Sequence, residues 1–224
     1  MINSKAVRVY IDDPRILTIL VNILKSEGIS FTELSTNNII EGDIILTNNV
    51  SQIAKFIKGK HVHIVKVEKT DKEHMTSAIE KIKCLLKGKN QYKIVTLGID
   101  PGGKIGLVIL GDNELCKAVV LSNVEELIEE VKIALLHMPY EKVRIKIGNG
   151  ERSAEVIQEV LKLIERYQDK QLKDKEILIE LVDETRTYNI PATFKNKVRN
   201  IPKDVISALN IAIRKGLIVE GKGK

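Results

Sequence analysis

The chain has 224 residues, of which 43% are apolar and 29% charged, and this composition excludes a disordered chain. It contains no run of about 18 uncharged apolar residues, so we expect neither a membrane span nor a secretion signal, and we predict a cytoplasmic protein. Its 36 basic and 30 acidic residues give a formal charge of +6, which suits a polyanionic partner without requiring one. Cys84 and Cys116 lie singly in apolar stretches, which predicts neither a disulfide nor a cysteine-type zinc site.

Strand and helix patterns alternate through residues 1–88, which predicts a small three-layer α/β domain with a mostly parallel sheet. The strand patterns fall at residues 6–11, 31–35, 43–47 and 61–67, and the helical patterns at residues 14–27, 51–57 and 71–86. Asp12 and Asp13 follow the first strand, and we interpret them as caps of the first helix. The sequence indicates no role for this domain, so substrate positioning, dimerisation and partner binding stay open.

A polar, glycine-containing linker at residues 87–91 separates this domain from a second one, predicted over residues 92–218. Three strand patterns follow the linker with short turns between them, which is typical of an antiparallel meander. Helices and strands then alternate to give the order β-β-β-α-β-α-β-α. We therefore predict a second α/β domain with a mixed five-stranded sheet.

Acidic residues stand at the ends of three elements of this second domain. Asp100 ends an apolar strand before a Pro-Gly-Gly turn, Asp183 and Glu184 follow a later apolar strand, and Asp204 lies in the first turn of the last helix. Mg²⁺ or Mn²⁺ would need oxygen ligands from several elements, and these acids would supply them if they converge. A turn-initiating Asp100 and a helix-capping Asp204 are the alternative, purely structural interpretations.

The element order and the acids together resemble the ribonuclease H-like superfamily, in particular its RuvC and YqgF-type Holliday-junction resolvase branch. Residues 97–102 (LGIDPG) resemble the first catalytic strand of RuvC, and residues 182–187 (VDETRT) resemble the DER-L-T stretch of YqgF proteins. Asp204 with the apolar residues after it resembles the final helix of both. The resemblance covers residues 93–216.

The resemblance implies a metal-dependent nuclease in which Asp100, Asp183 and Asp204 hold Mg²⁺ or Mn²⁺, with Glu184 as an alternative to Asp183. It further implies nucleic acid, a DNA junction or RNA, as the partner. If the resemblance extends to function, it implies a homodimer as well, because a four-way junction has two strands to cut.

Two departures from the RuvC pattern leave activity open. RuvC has a Glu at the end of its fourth strand, where this chain has residues 146–150 (KIGNG), and a second acid in its final helix, where this chain has Ser207. Glu151 or Glu184 would have to substitute for the missing acids.

Basic side chains near the predicted acids would contact phosphates of the nucleic acid backbone, unless they form an ordinary solvated loop. These residues are Lys104, Arg186, Lys195, Lys197, Arg199 and Lys203.

Two other functions compete with the nuclease. One is a ribonuclease H-like module that has lost catalysis and serves in nucleic acid binding or assembly. The other is an actin-like ATPase-type domain, because an Asp followed by glycines between two strands also resembles its phosphate-binding hairpin. That superfamily needs a second glycine-rich hairpin, and residues 1–90 contain none.

Overall fold

The computed structural model of the protein describes residues 6–35, 39–67, 71–185 and 202–222. The chain divides into two compact units, one formed by Met1–Gln91 with His137–Pro139 and the other by Tyr92–Leu136 with Tyr140–Lys224. None of the helices in the described ranges combines the length and the apolar character needed to cross a membrane.

The first unit is built on a four-stranded parallel sheet with the strand order β2-β1-β3-β4. Its strands are β1 (Val7–Tyr10), β2 (Phe31–Glu33), β3 (Ile44–Thr47) and β4 (His63–Lys66), and its helices are α1 (Pro14–Ser26), α2 (Val50–Ile53) and α3 (Lys72–Leu86). Asp13 caps α1 by accepting a hydrogen bond from the Arg15 backbone, as the sequence predicts.

Alternation along β3 shows that both faces of this sheet are covered. Ile44 and Leu46 pack in the cluster that contains the buried residues of α1 and α3. Ile45 points to the opposite face and packs with Ile53 of α2. Because successive strand residues face opposite sides, this pattern places helices on both faces and confirms the three-layer prediction.

The second unit is built on a six-stranded mixed sheet with the order β10-β9-β8-β5-β6-β7. Its elements are β5 (Tyr92–Pro101), β6 (Ile105–Gly111), β7 (Glu114–Leu121), α4 (Val124–His137), β8 (Tyr140–Gly148), α5 (Ser153–Tyr167), β9 (Glu176–Val182), α6 (Lys203–Ile213) and β10 (Leu217–Lys222). The first three strands form an antiparallel meander, whereas β8 and β9 add on parallel to β5. This order and these directions agree with those that the resemblance to the ribonuclease H-like superfamily implies.

The sheet has one strand more than the five predicted from the sequence. Helix α6 ends at Ile213, and β10 then pairs antiparallel with β9 at the edge of the sheet. The sequence does not predict this strand because Leu217, Ile218 and Val219 are consecutive apolar residues without the apolar–polar alternation of a half-buried strand. In the structure all three side chains are exposed.

Candidate functional site

Asp100 lies at the carboxyl end of β5, the strand that pairs with both β6 and β8 in the larger sheet. Its partner in the β6 register is Gly106. The side chain is half-buried, in contrast to the exposed Lys104 in the turn that follows. The antiparallel meander therefore holds this carboxylate at the carboxyl-terminal end of a central strand, and the sequence predicts its place at the end of an apolar strand.

Two glycines allow α6 to lie directly on the strands that carry Asp100. A Cβ atom at Gly106 would lie 2.0 Å from the carbonyl oxygen of Asp204, and one at Gly98 would lie 2.2 Å from the carbonyl oxygen of Ala208. Both contacts are with backbone atoms, so any larger residue would push the helix away from the sheet. This close packing brings the first turn of α6, and with it Asp204, next to Asp100.

Glu184 reaches from the end of β9 across the end of the neighbouring strand β8. Its Oε1 accepts a hydrogen bond of 3.0 Å from the Gly150 backbone, and its own backbone N–H donates to Oδ1 of Asn149 at 3.1 Å. A Cβ atom at Gly148 would lie 2.1 Å from Oε1 of Glu184. The glycine turn after β8 thus accommodates a carboxylate where the carboxyl-terminal end of β8 itself has none.

Ser207 lies one helical turn after Asp204 and is buried beneath it. Its hydroxyl donates a hydrogen bond to the carboxylate of Asp100. The residue that departs from the RuvC pattern is therefore part of the same cluster, where it orients Asp100 instead of adding a negative charge.

The surroundings of Asp100 disfavour its negative charge. The pKa of its carboxyl group is raised to about 6. Burial is the largest cause, the charges of Glu184 and Asp204 raise the pKa further, and the hydrogen bond from Ser207 lowers it. Asp100, Glu184 and Asp204 are therefore electrostatically coupled; together with Ser207 they are called the acidic cluster below. Such a cluster would gain free energy by binding a cation.

Asp183 does not contribute to this cluster. Its side chain is exposed and accepts two hydrogen bonds from Thr185, one from the backbone N–H and one from the hydroxyl, both at 3.0 Å. These bonds lower the pKa of Asp183. The structure thus places Glu184, and not Asp183, beside Asp100.

The basic residues predicted to contact phosphates are only partly described. Lys104 and Lys203 are exposed, the first in the turn after β5 and the second at the first residue of α6. Arg186, Lys195, Lys197 and Arg199 lie outside the described residues.

The donor set of the acidic cluster suits a hard cation, because all three acids offer carboxylate oxygens. Among residues 6–35, 39–67, 71–185 and 202–222, however, no three Asp, Glu, His or Cys side chains lie close enough to hold one metal ion. Glu184 and Asp204 act on Asp100 through their charge and do not form a closed ligand shell with it.

Two parts of this site were not recognised from the sequence. Ser207 appeared there only as a missing acid, and residues 148–150 appeared only as a strand end without a Glu. A glycine on each side of Asn149, directly after an apolar strand, was the available signal, because it indicates that another group approaches the backbone closely.

Comparisons with known proteins give structural resemblances only. No protein-family model matches the chain, and no curated protein matches it either. Among solved structures, the chain is similar to "T. thermophilus RuvC in complex with Holliday junction substrate", with 16% identity and a TM-score of 0.37. That similarity covers 53% of this chain and 90% of the RuvC chain.

Two further solved structures show weaker similarity. Kluyveromyces polysporus Argonaute with a guide RNA is 12% identical over 81% of this chain and 32% of its own, with a TM-score of 0.23. A Ppx/GppA family member from Aquifex aeolicus is 11% identical over 91% of this chain and 74% of its own, with a TM-score of 0.18. These values are too low to assign a function, which therefore depends on the residues of this chain.

Proposed function

We propose that the protein is a metal-dependent nuclease that acts on structured nucleic acid in the manner of a Holliday-junction resolvase. The observation that carries this proposal is the electrostatic interaction of Asp100 with Glu184 and Asp204 at the carboxyl-terminal end of the central strand β5. A bound cation would offset the electrostatic repulsion among these three carboxylates. Asp100, Glu184 and Asp204 would hold Mg²⁺ or Mn²⁺, with Glu184 in the place that the sequence offered to Asp183.

The residues of the chain have distinct tasks in this proposal. With a pKa of about 6, Asp100 is mostly ionised at neutral pH and protonated in mild acid. Ser207 orients its carboxylate, and the Gly150 backbone holds that of Glu184. Because no three acidic groups in the described residues share one ligand position, Glu184 or Asp204 would have to rotate toward Asp100. The bound metal would supply Lewis-acid activation of water and of the phosphodiester.

A non-catalytic nucleic acid-binding or assembly module is the second candidate. The observation that favours it is the absence, among the described residues, of three acidic groups within reach of a single ion. In that case Ser207, which stands where the RuvC pattern has a second helix acid, would only hydrogen-bond to Asp100. The protein would then bind nucleic acid without cutting it.

The actin-like ATPase alternative requires a second phosphate-binding lobe, and the described residues of the first unit do not form one. The four strands described in the first unit are all parallel, so they form no antiparallel phosphate-binding hairpin. The turn after Asp100 therefore has no counterpart there, and the nuclease is the better explanation of this turn.

A cleavage assay tests the proposal directly. The full chain is incubated with end-labelled four-way junction, fork, duplex, single-stranded DNA and RNA in Mg²⁺, Mn²⁺ or EDTA. We expect metal-dependent cleavage that is lost in Asp100→Asn and retained in Asp183→Asn, the matched control beside the cluster. Binding of these substrates without cleavage in any metal would establish the non-catalytic module instead.

Cleavage of a four-way junction would also imply two copies of the chain, because two strands must be cut. Light scattering of the protein alone and bound to junction gives its mass in each state. We expect two chains per junction, and a single chain on a cleaved junction would contradict this part of the proposal.

A further inference from the structure

The first unit contains a strongly basic surface at residues 55–66 (KFIKGKHVHIVK). This stretch has four lysines, two histidines and no acidic residue. It runs from the end of α2 into the edge strand β4. The side chains of Lys55, Lys58, Lys60, His61 and Lys66 are all exposed. Residues 55–60 are called the lysine turn below.

The backbone of the lysine turn is held in one conformation. The Lys60 N–H donates a hydrogen bond of 2.9 Å to the Ile57 carbonyl, and Gly59 between them has a φ of +78°. A positive φ at the third position is the signature of a type II turn, which glycine adopts without strain. Ile57 packs against the apolar cluster beneath α2. The lysines therefore project from an anchored turn, which lowers the entropy cost of binding a ligand.

The lysine turn is not neutralised by any of the residues that the structure describes. Other cations of the first unit are paired with acids, as Arg8 is with Asp43 and Lys83 with Glu27 and Glu80. In contrast, Lys55, Lys58 and Lys60 form no ion pair with any residue in the described ranges. Lys55 lies 5.1 Å above the ring of Phe56, and Lys60 donates to the Ile39 carbonyl at 2.7 Å. Neither contact cancels a charge, so the surface keeps an excess of positive charge.

We propose that the lysine turn binds the phosphate backbone of nucleic acid without reading its sequence, which gives the first unit the role of a substrate grip. An unpaired row of lysines on an anchored turn fits a regularly spaced polyanion. Phe56 is the only aromatic residue of the lysine turn, and its ring packs with Tyr10, so the turn offers no platform for stacked bases. The choice of nucleic acid among polyanions rests on the proposed function.

Salt dependence of binding measures the number of phosphates neutralised. Fluorescence anisotropy of the full chain with labelled duplex in EDTA excludes cleavage and gives the slope of log Kd against log salt concentration. Replacing Lys55, Lys58 and Lys60 by Gln should reduce this slope by about 2.7, because each lost phosphate contact contributes about 0.9 on duplex DNA. Between about 50 and 200 mM salt, the wild type would then lose about 40-fold more affinity than the triple variant.

A matched control removes the same net charge from lysines that are already paired. Lys117, Lys142 and Lys162 contact Glu130, Glu176 and Glu159, respectively. Their triple replacement by Gln should leave the slope unchanged, and replacement of the lysine turn by arginines should preserve it. If loss of the Lys60 bond to Ile39 prevents folding, the double variant at Lys55 and Lys58 should still reduce the slope by about 1.8.

The outcomes separate this inference from the nuclease. Equal slopes for the lysine-turn variant and its control, or no nucleic acid binding by the wild type, would overturn the inference even if cleavage is observed. A reduced slope with no cleavage in any metal would support the lysine turn and contradict the nuclease. If the lysine-turn variant binds phosphatidylserine vesicles more weakly than the wild type but binds nucleic acid equally well, the lysine turn would be a membrane-binding surface, and the inference would be overturned.

Discussion

Asp12 and Asp100 each stand at the end of an apolar strand, one in each unit, and their environments are opposite. Asp12 follows β1 of the first unit and accepts hydrogen bonds from the side-chain amides of Asn49 and Asn48, which lower its pKa. Asp100 ends β5 of the second unit, where burial and the charges of Glu184 and Asp204 raise its pKa to about 6. One carboxylate is therefore satisfied by its neighbours, whereas the other is destabilised by them.

This difference shows that an acid at the end of a strand does not by itself indicate a site. Hydrogen-bond donors around Asp12 stabilise its charge, so the fold explains the residue without a ligand. The fold provides too little compensation for Asp100, since the hydrogen bond from Ser207 is outweighed by burial and two negative charges. Destabilised charge of this kind is typical of functional sites. The experiments below change one side of this comparison at a time.

The largest effect on the cleavage rate is expected when the charge of Glu184, which acts on Asp100 and has no counterpart beside Asp12, is removed. Glu184→Gln should lower metal-dependent cleavage by about 100-fold or more, because loss of a residue that would hold the metal directly should cost at least as much as the roughly 10- to 100-fold loss seen when an outer-shell partner is removed. Asp183→Asn, one residue earlier, should change the rate less than about threefold, because the Asp183 carboxylate accepts its hydrogen bonds from Thr185 and not from the acidic cluster. Single-turnover cleavage rates measure both. Equal losses of cleavage rate in the two variants would show that Glu184 is not the acid that acts together with Asp100.

A second experiment moves α6 away from Asp100. A Cβ at Gly106 would overlap the backbone of Asp204, so Gly106→Ala should lower the free energy of unfolding by roughly 1–3 kcal/mol. Gly103→Ala is the control, since no atom lies within 4 Å of a Cβ there. Urea unfolding of both variants gives the values. A Gly106→Ala protein as stable as its control would contradict the close packing of α6 on the sheet.

Opposite pH dependences of stability are expected for Asp100 and Asp12. The folded-state pKa of Asp100 is raised, so its contribution to stability is present below about pH 4 and lost as the pH rises through about 6. Asp100→Asn should therefore raise the melting temperature at neutral pH, by a few degrees at most, and lose this gain near pH 4. Thermal unfolding at several pH values measures the shift.

Asp12 should show the reverse behaviour with a smaller amplitude. Its folded-state pKa is lowered, so its stabilising contribution is present at neutral pH and lost only as the pH falls below its ordinary range. Asp12→Asn should slightly lower the melting temperature at neutral pH. A shift of the same sign for Asp12→Asn and Asp100→Asn would remove the contrast between the two regions.

Most of the fold could be predicted because its elements follow simple patterns. Strand alternation and helix caps locate β1 to β9 and all six helices, and the acid at Asp100 is visible as the end of an apolar strand. The choice between Asp183 and Glu184 could not be made, because it depends on the space that Gly148 leaves at the end of another strand. Likewise, Ser207 becomes a partner of Asp100 only after Gly98 and Gly106 admit α6 onto the sheet.

The central claim is that Asp100 is coupled to two further acids in a site that attracts a cation. Carbon-detected NMR of the Asp100 carboxyl group, titrated with and without Mg²⁺, tests it most directly. We predict a pKa near 6 in the absence of metal and a clear decrease when Mg²⁺ is added, because a bound cation favours the ionised form. A pKa close to the ordinary value for aspartate that does not respond to Mg²⁺ would contradict the claim.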